Sequence, residues 1–302
     1  MPDLSEFVGF VSRKSGVNKP ALIEQDIMIH GLLRVLCKSP TFAGNYLFKG
    51  GSCLVKCYFG YYRFSVDLDF TWKDQARFKV GKSELQRRLK TETVAFGSIL
   101  RDAAEELGLE FKNDPADRHY VEFGGGKRMT TYKLWKGKEL VKVQVNFVEE
   151  LLFPGKKVQV ITLLDRVELE KDDRVYFSEF LEGYTPFLVE AYDEREILCE
   201  KARAALTRKA QKLRDFYDLF MLAGHAFRTG EFTEEIVLKT KASLYYRKYR
   251  DNLMANKVAM DVSYGALENP YERNLFIKSP PPSFDKFVDG LFTELREIST
   301  RF

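Results

Sequence analysis

Two carboxylates stand two residues apart in the run Phe64-Ser65-Val66-Asp67-Leu68-Asp69-Phe70. Side chains alternate faces along a strand, so Ser65, Asp67 and Asp69 share one face and Phe64, Val66, Leu68 and Phe70 the other. The apolar set predicts a strand over 64–70 with one face on a core. The polar set places the carboxylates roughly 7 Å apart. Two carboxylates that close repel each other, and a divalent cation is the usual remedy. Upstream, Lys49-Gly50-Gly51-Ser52 follows a short apolar segment and precedes a predicted helix over 52–59. A glycine turn into a helix N-terminus can hold phosphate on backbone N–H groups. A phosphate cradle beside paired carboxylates is the minimal equipment for metal-dependent phosphoryl or nucleotidyl transfer.

A second set of charges lies far along the chain, in Glu196–Leu219 (EILCEKARAALTRKAQKLRDFYDL). Lys201 and Arg208 are seven apart, two turns of a helix, so the spacing predicts one shared face with Ala204 and Ala205 between them. A lysine and an arginine on such a stripe can grip a triphosphate, one as a point charge and one as a bidentate fork. Asp215 and Asp218 share a face, and the spacing of Arg214 and Asp218 predicts an ion pair.

The elements that must position these groups follow from periodicity. Apolar spacing predicts a helix over 19–37, with Pro20 in its first turn, and another over 82–107 ended by Gly108. Strands are predicted over 118–123 and 129–135, joined by a hairpin turn at Gly124-Gly125-Gly126, and over 140–148 and 186–191. Beyond them the chain turns helical. Asp193 as N-cap with Glu196 at N3 makes a capping-box pattern. The division expected is 1–185 for a mixed α/β core and 186–302 for a mainly helical domain that completes the active-site cleft.

The motif KGGS…RFSVDLDF resembles the first motif of the AbiEii/AbiGii-type nucleotidyltransferase toxins, a branch of the polymerase-β-like nucleotidyltransferase superfamily. Arg63 and Ser65 make the match specific to that branch. The later stretch resembles the family's C-terminal motif, at Glu200, Lys201, Arg208, Arg214, Asp215 and Asp218. The resemblance covers about 20–225. It implies an α+β fold: a polymerase-β-like core with a twisted mixed sheet plus a C-terminal helical domain. It implies Asp67 and Asp69 as catalytic residues and ligands of Mg²⁺ or Mn²⁺. Lys201 and Asp215 are implied as further catalytic residues, Asp215 positioning or deprotonating the acceptor. Lys49, Gly50, Gly51, Ser52, Arg63, Ser65 and Arg208 are implied to bind the nucleotide. The substrate implied is an NTP, the acceptor a tRNA 3′ end, and the partner a cognate antitoxin. Two departures stand out. Gln25 replaces the family's lysine. Strand 140–148 offers Lys142, Gln144 and Asn146 where the superfamily has a third carboxylate, with Glu149 and Glu150 just beyond.

Composition bounds these readings. The 302 residues are 45% hydrophobic and 30% charged, enough for one large or two ordinary domains with ample core. Net charge is 48 − 44 = +4, a weak pointer to nucleic acid. A basic, tyrosine-interleaved helix predicted over Lys239–Lys257 suits RNA phosphates better. No apolar run reaches 18 residues and no signal peptide is apparent, so no membrane contact and a cytoplasmic setting are expected. The cysteines Cys37, Cys53, Cys57 and Cys199 are expected as buried thiols rather than zinc ligands, and the three histidines as structural or surface residues. Two other functions fit the same residues: a catalytically degenerate nucleotide- or RNA-binding protein, and an adenylyltransferase acting on a small hydroxylated molecule.

Overall fold

The computed structural model describes residues 2–225, 227–259 and 269–302. The chain divides into two compact units, Met1–Glu149 with Gly155–Ala191, and Glu150–Pro154 with Tyr192–Phe302.

The first unit runs α1 (Leu4–Ser15), α2 (Pro20–Lys38), α3 (Pro40–Asn45), β1 (Tyr46–Lys49) and α4 (Gly50–Cys53). A π-helical stretch, Leu54–Phe59, continues α4. Then come β2 (Asp67–Trp72), α5 (Lys82–Glu106), β3 (Val121–Gly124), β4 (Met129–Lys136) and β5 (Glu139–Asn146). β6 (Lys156–Val160), α6 (Lys171–Tyr176), α7 (Ser178–Gly183) and β7 (Phe187–Ala191) complete it. The strands form one mixed sheet in the order β3-β4-β5-β2-β1-β7-β6. β2 lies centrally, antiparallel to β1 and parallel to β5. β7 pairs with both β1 and β6, so it belongs to this sheet and the second unit starts only at Tyr192.

The alternation read in the sequence explains the central strands. Leu68 and Phe70 of β2 and Val141, Val143 and Val145 of β5 are fully buried. Phe42, Tyr46, Phe70, Phe96 and Tyr132 form a continuous aromatic cluster on that face, which α5 helps to cover. The opposite face carries the polar set. β2 begins at Asp67 rather than at Phe64. Residues 62–64 are buried one after another and precede the strand, without the alternation that Asp67–Phe70 shows. The triple glycine lies at the turn between β3 and β4, which pair antiparallel.

α2 presents Ile23, Ile29, Leu33 and Leu36 to the core, and with them Asp26 and His30. Asp26 Oδ1 meets Lys56 Nζ at 2.7 Å, and both side chains are almost wholly buried. The hydroxyls of Tyr61 and Tyr184 donate to Asp26 Oδ2 at 2.9 and 2.6 Å, and Lys56 donates to the Tyr61 oxygen at 2.7 Å. Every charge in this network is therefore compensated, which is what makes burial tolerable. His30 sits beside it. Its Nε2 donates to the Thr185 carbonyl at 2.9 Å, the Nε2–H form being the neutral tautomer that serves that acceptor. Burial, with the Lys56 charge adding to it, pushes the His30 pKa down to about 3. The unfolded chain takes up this proton near pH 6.5 and the folded chain only near 3, so the contribution is complete above 6.5 and lost on acidification between those values. We expect the His30 contribution to fall by about 1.4 kcal/mol between pH 7.5 and 5.5, and His30→Leu to lose that part of the dependence. Urea unfolding at the two pH values checks it.

The second unit contains α8 (Glu194–Thr207), α9 (Leu213–Gly224), α10 (Thr233–Ser243), α11 (Arg247–Ala259), α12 (Pro270–Asn274) and α13 (Ser283–Ser299). Asp193 caps α8 by accepting from the Arg195 N–H. Glu196 does not complete a capping box by the local route. Its Oε2 reaches out to the N–H groups of Leu152 and Phe153, at 2.9 and 2.8 Å, and ties Glu150–Pro154 to α8. The basic helix expected over 239–257 is two helices, broken at 244–246, and Lys239 is buried against Glu196 at 2.6 Å. Cys53 and Cys199 are buried thiols as expected, but Cys37 and Cys57 are only half-buried. No helix among the described residues is long and apolar enough to cross a membrane.

Candidate active site

Asp67 and Asp69 lie on the sheet face opposite the aromatic core, both half-exposed. Strand register decides which residues share that face. Asp67 stands opposite Lys142, Asp69 opposite Gln144, and Thr71 opposite Asn146. On the other side Lys49 of β1 stands opposite Asp69. The residues at the third-carboxylate position therefore do face the aspartates, and none is acidic. Farther along, Thr131 pairs with Gln144 and Lys133 with Lys142. Asp67, Glu122, Thr131, Lys133, Leu140, Lys142 and Gln144 line an open pocket of about 450 Å³ on this side. Its one other acid, Glu122, pairs with Lys133 at 2.5 Å.

The glycine pair is shaped by what lies against it. Gly50 has φ +76°, a conformation that disfavours any side chain. A Cβ there would also collide with Asp69 Oδ2 and come within 3.1 Å of its Cγ, so the carboxylate rests on the Gly50 backbone. A Cβ at Gly51 would collide with the Arg63 guanidinium and meet Ser65 Oγ at 3.1 Å. Arg63 is itself buried, with Nη1 donating to the Phe64 carbonyl at 2.7 Å. It lies under the turn as a support. Ser52 is buried too, and its hydroxyl donates to the Asp67 carbonyl, locking the start of the helix to β2. Gly50→Ala is expected to cost about 1–3 kcal/mol of stability through backbone strain and to depress transfer at least tenfold by displacing Asp69. Thermal unfolding and label transfer read the two effects separately.

Lys49 Nζ lies 3.3 Å from Glu149 Oε2, and Asn146 Nδ2 donates to that same oxygen at 2.9 Å. Gln75 accepts from the Glu149 N–H at 2.8 Å. The sequence notes Glu149 only as an acid beyond the strand. Its contact with Lys49, a hundred residues earlier, has no local signal.

In the second unit Lys201 bridges two carboxylates, Asp215 at 2.5 Å and Asp218 at 2.7 Å. Arg208 also binds Asp215, but not from the helix face that the seven-residue spacing predicts. α8 ends at Thr207, and Arg208 has extended backbone angles. The break is held by α11. Asn256 donates to the carbonyls of Ala205, Leu206 and Arg208, and Asn252 to that of Thr207. Ala204 and Ala205 are buried and pack the core rather than leaving space for a ligand. The salt bridge found for Arg214 is with Glu272, at 3.9 Å. Burial works to raise the Asp215 pKa, yet the charges of Lys201 and Arg208 outweigh it and hold the carboxyl well below the usual range. A carboxylate so held is a poor proton acceptor. Lys212, missed in the sequence, is lowered by burial, with the nearby Arg214 and Arg208 charges adding to it.

Among the described residues, no group of three or more His, Cys, Asp or Glu side chains forms a metal site. The chemistry of the donor set still suits Mg²⁺ or Mn²⁺, which is commonly held by one or two carboxylates with phosphate oxygens and water supplying the rest.

The model of the nucleotidyl transferase AbiEii toxin family, of type IV toxin–antitoxin systems, matches residues 34–296. The chain belongs to the AbiEii family. A comparison with curated proteins gave no match. Family membership makes the chain a nucleotidyltransferase toxin, with an NTP as substrate and an antitoxin as partner. The mixed seven-stranded sheet and the helical remainder agree with the α+β nucleotidyltransferase fold expected of an AbiEii protein.

Proposed function

We propose that this AbiEii protein transfers a nucleoside monophosphate from an NTP to the 3′ end of a tRNA, with Mg²⁺ or Mn²⁺ held by Asp67 and Asp69. The observation that carries the reading is the Asp69 carboxylate resting on Gly50. It brings the acidic pair to the turn where phosphates would bind. In the reaction an acceptor hydroxyl attacks the α-phosphorus. A new P–O bond forms, the bond to the β-phosphate oxygen breaks, and pyrophosphate leaves. When bound, the cation supplies charge stabilisation at the phosphoryl oxygens. The backbone at Gly50, Gly51 and Ser52 receives phosphate oxygens, with Arg63 and Ser65 supporting the turn. Lys201, steered by Asp215, neutralises charge on the transferring group, with Arg208 beside it. Asp215 acts by positioning Lys201, since its depressed pKa suits it poorly to take the acceptor proton.

For the RNA acceptor, α11 is the supporting feature. Arg247, Lys248 and Arg250 are exposed there next to exposed Tyr245. Reversing the charges at Arg247 and Lys248 is expected to weaken tRNA binding and flatten its salt dependence. Incubation with each α-labelled NTP, Mg²⁺ and total tRNA tests the function. Label on tRNA with wild type but not Asp67→Ala supports it. Label reaching only small hydroxylated molecules would replace RNA by a small acceptor, and NTP binding without transfer would favour a binding protein.

A further inference from the structure

Asp67 and Asp69 are flanked differently on their two sides. β2 lies between β1 and β5 in the sheet. On the β1 side stands the glycine turn, with Gly50 against the Asp69 carboxylate. On the β5 side Lys142 stands opposite Asp67, and Lys133 of β4 stands opposite Lys142. Neighbouring strands lie about 4.8 Å apart, so the row Asp67, Lys142, Lys133 crosses roughly 10 Å of sheet. All three line the open pocket of about 450 Å³, whose one other titratable group is Glu122. Glu122 and Lys133 neutralise each other at 2.5 Å, and Lys133 also donates to the Arg118 carbonyl at 3.1 Å. Lys142 is exposed and forms no ion pair among the described residues.

We propose that this pocket receives the acceptor strand and that Lys142 holds a phosphodiester next to the attacking hydroxyl. This rests on the transfer reading above. In an in-line displacement the attacking and leaving oxygens lie on opposite sides of the phosphorus. Pyrophosphate leaving toward the glycine turn, on the β1 side, puts the incoming hydroxyl on the β5 side. The charge there selects among acceptors. With Asp67 on a divalent cation and Glu122 on Lys133, the charge left to meet a substrate is that of Lys142. A lysine ammonium is a point charge that suits a phosphate oxygen. It repels a polycationic small acceptor and finds no counter-charge on a neutral one.

The test is steady-state label transfer from α-labelled NTP, with tRNA and NTP varied in turn. Wild type, Lys142→Gln and Lys142→Arg are compared in the full-length chain, with circular dichroism confirming the fold. In Lys142→Gln the KM for tRNA is expected to rise about five- to twentyfold, the loss of one charge-assisted contact, while the KM for NTP stays at its wild-type value. The fall of kcat/KM for tRNA with salt should become shallower by about 0.7 in log–log slope, the share of one single-strand phosphate. Lys142→Arg keeps the charge and should restore most of the affinity for tRNA. An unchanged KM for tRNA in Lys142→Gln overturns the inference and leaves transfer to RNA standing. A matching rise in the KM for NTP overturns it too, by placing Lys142 on the donor phosphates, and so does a loss confined to kcat. Wild type that labels no RNA removes the transfer reading itself, and the inference with it.

Discussion

Asp69→Asn is expected to reduce nucleotide transfer by at least roughly 10²–10³-fold, with Asp67→Asn close behind, while leaving the protein folded. The change keeps shape and removes one negative charge. Asp69 is half-exposed on the polar face of β2, and the opposite face, Leu68 and Phe70, supplies the core contacts. The change also relieves the repulsion between two like charges on one strand face. Transfer assays together with thermal unfolding read both effects. Wild-type activity in Asp69→Asn would remove the carboxylate pair from the mechanism. Lys201→Ala is a less clean probe. It strands Asp215 and Asp218, both buried, without their shared cation, so its activity loss comes with lost stability. Lys201→Arg keeps the charge and is the better comparison.

Asp26→Asn is expected to destabilise the protein by about 3–5 kcal/mol, the usual result of leaving one buried charge without its partner. Lys56 is 1% exposed, and its ammonium group is held by Asp26 and Tyr61. The same lysine belongs to the π-helical stretch that continues from Gly50–Cys53, so losing its anchor should loosen the glycine turn as well. Asp26→Asn/Lys56→Met removes both charges and should recover much of the loss, because a paired replacement strands neither ion. Urea titrations of Asp26→Asn, Lys56→Met and the double variant decide the matter. A double variant less stable than either single would mean that the ion pair itself, not its imbalance, holds the fold.

The central strands were legible because their chemistry is periodic. Alternating Asp67, Leu68, Asp69 and Phe70 could bury one face only one way. The helix starting at Pro20 and the long α5 were legible for the same reason, through apolar spacing over many turns. The roles of individual polar residues were not. The sequence gives no sign that Arg63 lies buried against Gly51, and Glu196 reads as a local cap until its reach to Leu152 and Phe153 is seen. Both engage partners that no spacing rule encodes. Lys201 and Arg208 do meet on Asp215, but the meeting depends on a helix end fixed by Asn252 and Asn256, more than forty residues later. Local patterns specified the scaffold, while long-range contacts assigned the charges.

The most direct measurement compares α-³²P- and γ-³²P-labelled NTP in parallel reactions with total tRNA and Mg²⁺. The account predicts that α label moves onto RNA and that γ label appears only in pyrophosphate, in equal amounts. Transfer of γ label to the acceptor, or stable NTP binding with no α label moved to any RNA, would contradict it.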